Sequence, residues 1–575
     1  VSQSSDDAPT GPIRGQTQQT PPDSGRSQAA AAAPRAASEP TRRRNIVNDL
    51  TAAALLVIAL LLPWNLYFGI AIPGSNKTLL GVLLAVTLLS LISIAVAGSW
   101  RSSGARFNPA AAARLRLWLN APYLLLVLAF VGFDAVQTVR YGGTVNVPGG
   151  VGPGAWLGIA GSLLSAQPTL TGVATDDEKF SGWLRSARII GYASILAAVL
   201  SFGFNLYWRV SYALQSRGGS SEFGKQNIAV IASAVVYGVV ALVAVLVASR
   251  WLLRSTKASR LATVALGAST LAAGIIVWSL PVGRDIDAFH GIAQNTSIAG
   301  VGFEGYLAWA AAAAIFAPRT LFGDRKRSAA DENAWRAAAR NGLLLIVVWC
   351  LGSMVMRITD LVVAVSLNYL YSRYDSLVLA AFDLATAVLA IWLRVNLVND
   401  AVSARLISSL CGLVATLSFS RVVVGVALAP RFEEMPNAAA QNPVYGNNLA
   451  QQITSTFDVA LCGLALCILA AAIVTGHLSG RRLRRQKRRA ARKRAVPPSA
   501  QPPSAAPTTR VRVGRTPPPS ADATTRIPTG PATESPTTAM PQLARSPRIF
   551  RGDDSATRQI PVPKPKIYRP PQDST

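Results

Sequence analysis

From about residue 49 to 478 the chain is a succession of apolar runs, each about twenty residues long, separated by short polar or glycine-rich stretches. At 1.5 Å per helical residue, about twenty residues cover a bilayer core about 30 Å thick. The runs are continuous rather than alternating, which sets aside a membrane β-barrel. They fall at roughly 49–72, 78–98, 117–137, 154–172, 187–208, 227–249, 261–281, 297–317, 341–367, 376–396, 405–429 and 456–478. This pattern predicts an all-α fold: a polytopic integral membrane helix bundle with about twelve transmembrane helices.

Composition agrees with that reading. Only 15% of the 575 residues are charged and 50% are hydrophobic, whereas a soluble protein carries about a quarter charged residues. The net charge of +28 could point to nucleic acid, but the basic residues lie beside the apolar runs or in the tails. Orientation in the bilayer and attraction to anionic lipid explain it without nucleic acid. Placing the N-terminus inside leaves Lys77, Arg140, Arg209, Arg217, Lys225, Arg284, Arg373 and Arg431 in outer loops. All other loop Lys and Arg between residues 42 and 494 are then inside. That asymmetry predicts a multi-pass protein of the plasma (inner) membrane with both termini cytoplasmic.

Four regions follow. Residues 1–45 form an Ala-, Ser-, Gln- and Pro-rich tail, expected to be disordered. Residues 46–480 form the membrane domain. Residues 481–495 form a juxtamembrane patch whose ten basic residues, from Arg481 to Arg494, would lie on anionic lipid headgroups. Residues 496–575 form a Pro- and Thr-rich basic tail, also expected to be disordered. In that tail Ala523–Pro528 and Ala556–Pro561 read as two copies of a short motif, ATTRIP and ATRQIP. Thr525 and Thr557 are the candidate phosphosites, where a phosphate would add about −1.5 to −2 charge beside an arginine.

An internal repeat is the most informative pattern in the membrane domain. GVGPGAWLGIAGSLLSAQP at 150–168 aligns without a gap to GVGFEGYLAWAAAAAIFAP at 300–318, matching Trp156 to Tyr306. Upstream, Gly132-Phe133-Asp134 corresponds to Gly283-Arg284-Asp285, and WNLYF at 64–68 to FNLYW at 204–208. These landmarks predict parallel four-helix repeats at 49–172 and 187–317, with a weaker third copy at 341–478.

Few ionisable residues lie inside the runs. A charge at the bilayer centre costs on the order of 2.5–3.5 kcal/mol or more, so each such group is expected to face protein or a watery cavity. Arg357, Asp360, Asp383 and Arg421 are expected to form one charge-balanced cluster, with Arg357 pairing along its helix with Asp360. It reads equally as an ion-paired pin or as a site for substrate or protons. Asp134, Glu304 and Asp458 are secondary polar candidates.

Signatures of enzyme chemistry are missing. The first outer loop, about PGSNK, is too short for the acidic loop of polyprenyl-dependent glycosyltransferases, and no intramembrane protease motif occurs. The two histidines, His290 in an outer loop and His477 at the inner boundary of the last run, lie far apart, and the four cysteines form no CxxC pair. No catalytic residue, metal site or cofactor is therefore assigned.

The stretch VGPGAWLGIAGSLLSAQP, with the polar N-tail, the Arg-rich patch and the Thr/Pro tail, resembles a family of multipass membrane proteins of unknown function from mycobacteria and related actinobacteria. The resemblance implies a plasma-membrane location and brings no catalytic or binding residues. The helix count, the repeats and the charged cluster put a transport or translocation component serving the cell envelope first. The long tails favour the second role, a non-catalytic scaffold of an envelope-assembly or division complex, and an enzyme acting on a lipid-linked substrate comes third. The bilayer is the expected partner, with envelope proteins reached through the tails.

Overall fold

The computed structural model describes residues 39–70, 72–102, 109–141, 149–169, 176–215, 224–279, 300–322, 329–367, 373–398, 402–428 and 455–473. Twelve helices run through them in order: α1 (Glu39–Leu61), α2 (Lys77–Ser102), α3 (Pro109–Tyr141), α4 (Pro153–Ala166), α5 (Asp176–Gln215), α6 (Lys225–Arg254), α7 (Lys257–Ser279), α8 (Phe303–Phe322), α9 (Ala329–Ser366), α10 (Arg373–Asn396), α11 (Ala404–Leu428) and α12 (Thr456–Ile473). The described residues contain no strand. Ten of the helices are long and apolar enough to cross a membrane, so the chain is an all-helical, multi-pass membrane protein.

The two that fall outside those ten are α4 and α8, the segments that open with the aligned Gly-Val-Gly. With 14 residues, α4 spans about 21 Å, less than the roughly 30 Å hydrocarbon core. Its start is delayed by chain that is extended inside the protein. Leu66 N–H donates to Gly149 O at 3.1 Å, Gly152 N–H to Trp64 O at 2.6 Å, and Gly154 N–H to Pro63 O at 2.9 Å. Asp134 of α3 accepts the backbone N–H of Gly150, which holds φ +72, a left-handed conformation that favours glycine. Gly154 is needed for proximity, since a Cβ there would lie 2.6 Å from Trp64 Cδ1 and 2.8 Å from Leu62 O. Irregular backbone at membrane depth is tolerated where protein satisfies it, and here the turn after α1 does so. Pro63 halts α1 because it lacks the N–H and restricts the residue before it.

Several expected boundaries shift accordingly. The first helix begins at Glu39, inside the segment read as tail, and buries Thr41, Asn45 and Asp49. WNLYF at 64–68 is the turn after α1, whereas FNLYW at 204–208 lies within α5. The two motifs therefore do not both end a helix. Pro168 follows the end of α4, while Pro318 sits inside α8.

Packing divides the bundle into a centre and a rim. The spanning windows of α7, α9 and α12 are 67%, 56% and 61% buried, against 22% for α3 and α5. α4 is buried at 13 of its 14 positions, and α8 keeps Trp309 through Phe316 out of contact with solvent or lipid. Within each successive group of four, neighbouring helices pack together and the first packs on the fourth: α1 on α4, α5 on α8, α9 on α12. The groups meet through α4 with α8, α7 with α12, and α6 with α9. Lipid tails are as apolar as leucine, so close backbone approach replaces hydrophobic burial as the source of helix association. Gly267 shows this: a Cβ there would meet Ala313 Cβ at 2.4 Å and Trp309 O at 2.5 Å, so α7 lies directly against α8.

Candidate functional site

The fourth helices of the three groups begin beside one another. Trp156, fourth residue of α4, stacks on Tyr306, fourth residue of α8, with ring centroids 4.8 Å apart. Phe457, second residue of α12, packs on Tyr306 at 6.5 Å, Trp309 at 5.6 Å and Trp349 at 4.7 Å. The two residues matched by the internal alignment therefore touch at the centre of the bundle. All five rings are almost fully buried.

Against this aromatic floor lies an ion-pair chain drawn from the last four helices. Arg357 of α9 donates from Nε to Asp383 Oδ2 at 2.8 Å, and Ser353 Oγ donates to the same oxygen at 2.7 Å. Arg421 of α11 gives NH1 to Asp383 Oδ1 at 2.7 Å and NH2 to Asp458 Oδ1. Asp458 also accepts Trp349 Nε1–H, and its Oδ2 takes the Ser455 backbone N–H at 3.0 Å. Cys350 lies 3.4 Å from Arg421 NH1. Asp383 is wholly buried and Arg357, Arg421 and Asp458 nearly so. From its helix start, Asp383 sits about 15 Å along α10, with about 20 Å of helix beyond it.

The local sequence explains these positions. Ser353 and Arg357 are four residues apart on α9 and share a face toward α10. Asp458 is the third residue of α12, where the unsatisfied N–H groups and the dipole of a helix start favour a carboxylate. Two guanidinium and two carboxylate groups balance, as a low-dielectric interior demands.

The structure thus brings Arg357, Asp383 and Arg421 together and adds Asp458. Asp360 faces elsewhere: its Oδ1 accepts the hydroxyl of Tyr237 on α6, and among the described residues it forms no ion pair. The expected Arg357–Asp360 pairing is replaced by Arg357–Asp383, because Asp383 approaches from the neighbouring helix at the same depth. Asp134 is buried and anchors Gly150. Glu304 is buried in the first turn of α8. Thr525, Thr557, the Arg481–Arg494 patch, His290, His477 and Asp285 lie outside the described residues.

A second buried network, absent from the sequence reading, ties the first four helices. Arg116 of α3 donates NH2 to Asp49 of α1 at 2.8 Å and Nε to Ser165 O, next to the C-terminus of α4, at 2.6 Å. Asn120 Nδ2 reaches Ser93 Oγ of α2 at 3.0 Å and Ser165 Oγ at 3.1 Å, and these two hydroxyls lie 2.8 Å apart. Asp49 and Arg116 sit at the edges of apolar runs, where a sequence gives no reason to prefer a buried pair over solvated charges.

Among the described residues no group of three or more His, Cys, Asp or Glu is placed to hold a metal. A groove of about 520 Å³ opens between α11 and α12, lined by Ala415, Phe419, Val423 and Leu469 among others, and is mainly apolar. Compared with known families, residues 45–477 match the one described as a domain of unknown function, DUF7937. No curated protein and no solved structure matches the chain.

Proposed function

We propose a transport or translocation role for this chain, which belongs to the DUF7937 family. One observation carries the reading: the buried Arg357–Asp383–Arg421–Asp458 chain, set across four helices beside the converging starts of α4, α8 and α12. Ionisable groups held inside a membrane bundle mark substrate or ion pathways. A shortened helix such as α4, which begins within the protein after irregular but satisfied backbone, is the construction that places binding groups near the midplane. In this reading Arg357 and Arg421 bind an anionic group when the ion pairs open, and Asp383 and Asp458 receive them back when it leaves.

The tested protein is the full chain in proteoliposomes on a solid-supported membrane, challenged with anionic, cationic and neutral solutes. A solute-dependent current that Asp383→Asn abolishes, while the protein still melts cooperatively, is the expected result. Silence toward every class, together with full complementation of a deletion strain by an Asp383→Leu, Arg421→Met protein, overturns it. That outcome leaves the scaffold reading, which the long Pro- and Thr-rich tails favour.

The same proposal places the protein in the plasma membrane, serving the cell envelope, with both termini cytoplasmic and the Arg481–Arg494 patch on anionic headgroups. Reporters fused after residue 45, near 330 and after 480 should report cytoplasm. Those at 145, 290 and 440 should report the outside, and a phosphatase-active fusion at 330 reverses the orientation. The two tail motifs, phosphorylated at Thr525 or Thr557, would dock partners and loosen the tail from the inner leaflet. Phosphoproteomics that covers both sites without a phosphothreonine removes that part.

A further inference from the structure

Asp360 is the member of the expected charged cluster that the ion-pair chain leaves out. It is half-buried on α9, three residues from Arg357, at membrane depth. Among the described residues it has no cationic partner, and the hydroxyl of Tyr237 is on its Oδ1. With Asp360 ionised, the five neighbouring groups total one negative charge. With it protonated they are neutral. We propose that Asp360, held by Tyr237, is a proton-binding site, and that its charge sets whether Arg357 stays on Asp383.

The chemistry of the contact suits both states. A phenol hydroxyl can donate to a carboxylate oxygen, more strongly, or to the carbonyl oxygen of a carboxylic acid. Tyr237 on Oδ1 therefore leaves Oδ2 to take the proton, and the step is only carboxylate plus proton giving the acid. When the proton leaves, the unpaired carboxylate is costly at this depth. The nearest relief is Arg357, one turn away on the same helix and within reach of an i, i+3 partner. Asp383 can release it, because Arg421 and Ser353 still hold its two oxygens.

Among the described residues the other faces offer no competing group. From α6 comes Tyr237, with Lys225, Arg250 and Arg254 toward its ends. From α10 comes Asp383, with Arg373, Asp375 and Arg394 toward its ends, and from α12 Asp458. The ionisable residues of α7, Lys257 and Arg260, lie in its first turn, at the opposite end of the bundle. Arg421 reaches in from α11 but holds Asp383 and Asp458.

Proton binding here would act on a joint between helix groups. Tyr237 and Asp360 bridge α6 and α9, and nearby Gly352 lies so close to α6 that a Cβ would meet Val240 Cγ1 at 2.4 Å. A change in the Asp360–Tyr237 contact therefore bears on how the second group of four helices sits on the third.

This inference rests on the ion-pair chain being a working site but needs no transported solute, so its test uses none. Infrared difference spectra of the full-length reconstituted protein between high and low pH should show a protonated-carboxyl band. Asp360→Asn should remove that band and the charge displaced by a pH jump on a solid-supported membrane. Tyr237→Phe keeps the carboxyl and should raise the band frequency, since the hydrogen bond to its carbonyl is lost; it reads the site even if Asp360→Asn does not fold. A band and displaced charge unchanged in Asp360→Asn, or a band frequency unchanged in Tyr237→Phe, overturns the proposal. Proton binding without any solute current would leave this inference standing and remove the transport reading; a solute current with no Asp360-dependent band would do the reverse.

Discussion

The first and last groups of four helices solve the same problem with different chemistry. Each joins its four helices through a buried polar network. In α1–α4 one ion pair, Asp49–Arg116, is joined to a cluster of neutral hydroxyl and amide groups, and Arg116 also caps a carbonyl near the end of α4. In α9–α12 four charges alternate in a chain, with Asp383 shared between two arginines. Depth separates them. Arg116 lies about 10 Å along α3, a helix of 33 residues that overhangs the core at about 50 Å. Its head can reach the interface, whereas Asp383 is near the middle of α10. The first network resembles what helix assembly alone requires. The second keeps more charge in the membrane than assembly requires, and that excess supports reading it as a working site.

The largest expected effect breaks this contrast most directly. Asp383→Ala removes the carboxylate that Arg357 holds and one of the two that Arg421 holds, and should destabilise by about 3–5 kcal/mol. Asp49→Ala should cost less, about 1–3 kcal/mol, because Arg116 keeps the Ser165 carbonyl and can extend toward headgroups. Unfolding by steric trapping in bicelles measures both. Equal losses would mean that depth does not distinguish the networks.

Backbone proximity gives a smaller, sharper effect. Gly267→Ala places a methyl against Ala313 and the Trp309 carbonyl and should cost about 1–3 kcal/mol, as overpacking does. Gly132→Ala, whose Cβ would meet nothing within 4 Å, should be neutral or slightly stabilising, since alanine favours helix. Thermal melts in detergent separate the two. If Gly132→Ala is the more harmful, the division between buried centre and lipid-facing rim is wrong at α3.

Much of this architecture was legible in the sequence because hydropathy reports helices directly when the solvent is lipid. Twelve apolar runs correspond to twelve helices, and the Gly-Val-Gly alignment located α4 and α8. The short length of α4 was only half legible: Gln167 and Pro168 mark its end in the sequence, but nothing local marks where it starts. What ends the helix is Pro168, and what delays its start is pairing with Trp64 and Pro63, a contact between distant segments. Arg357, Asp383 and Arg421 stood out as charges inside apolar text. Asp458 stood out less, because a carboxylate opening a helix has an ordinary capping role. Asp49 and Arg116 were hidden at run edges. Asp360 was legible as a residue but not as a partner of Tyr237, which no spacing rule connects to it.

The smallest effect lies in the neutral part of the first network. Asn120 Nδ2 donates to Ser93 Oγ, Ser165 Oγ and the Arg116 carbonyl, yet its Oδ1 is buried without a partner among the described residues. Removing the side chain loses donors and relieves an unsatisfied acceptor at once, while the Ser93–Ser165 contact survives. Asn120→Ala should therefore cost only about 1 kcal/mol. A double-mutant cycle of Asn120→Ala with Ser165→Ala should give coupling near the roughly 0.6 kcal/mol found on average between helices in a membrane. The same cycle on Asp383 and Arg421 should give several times more. Coupling at Asn120 as large as at Asp383 would mean that the neutral network also holds something beyond helix contact, and the contrast between the two groups would fail at its weaker member.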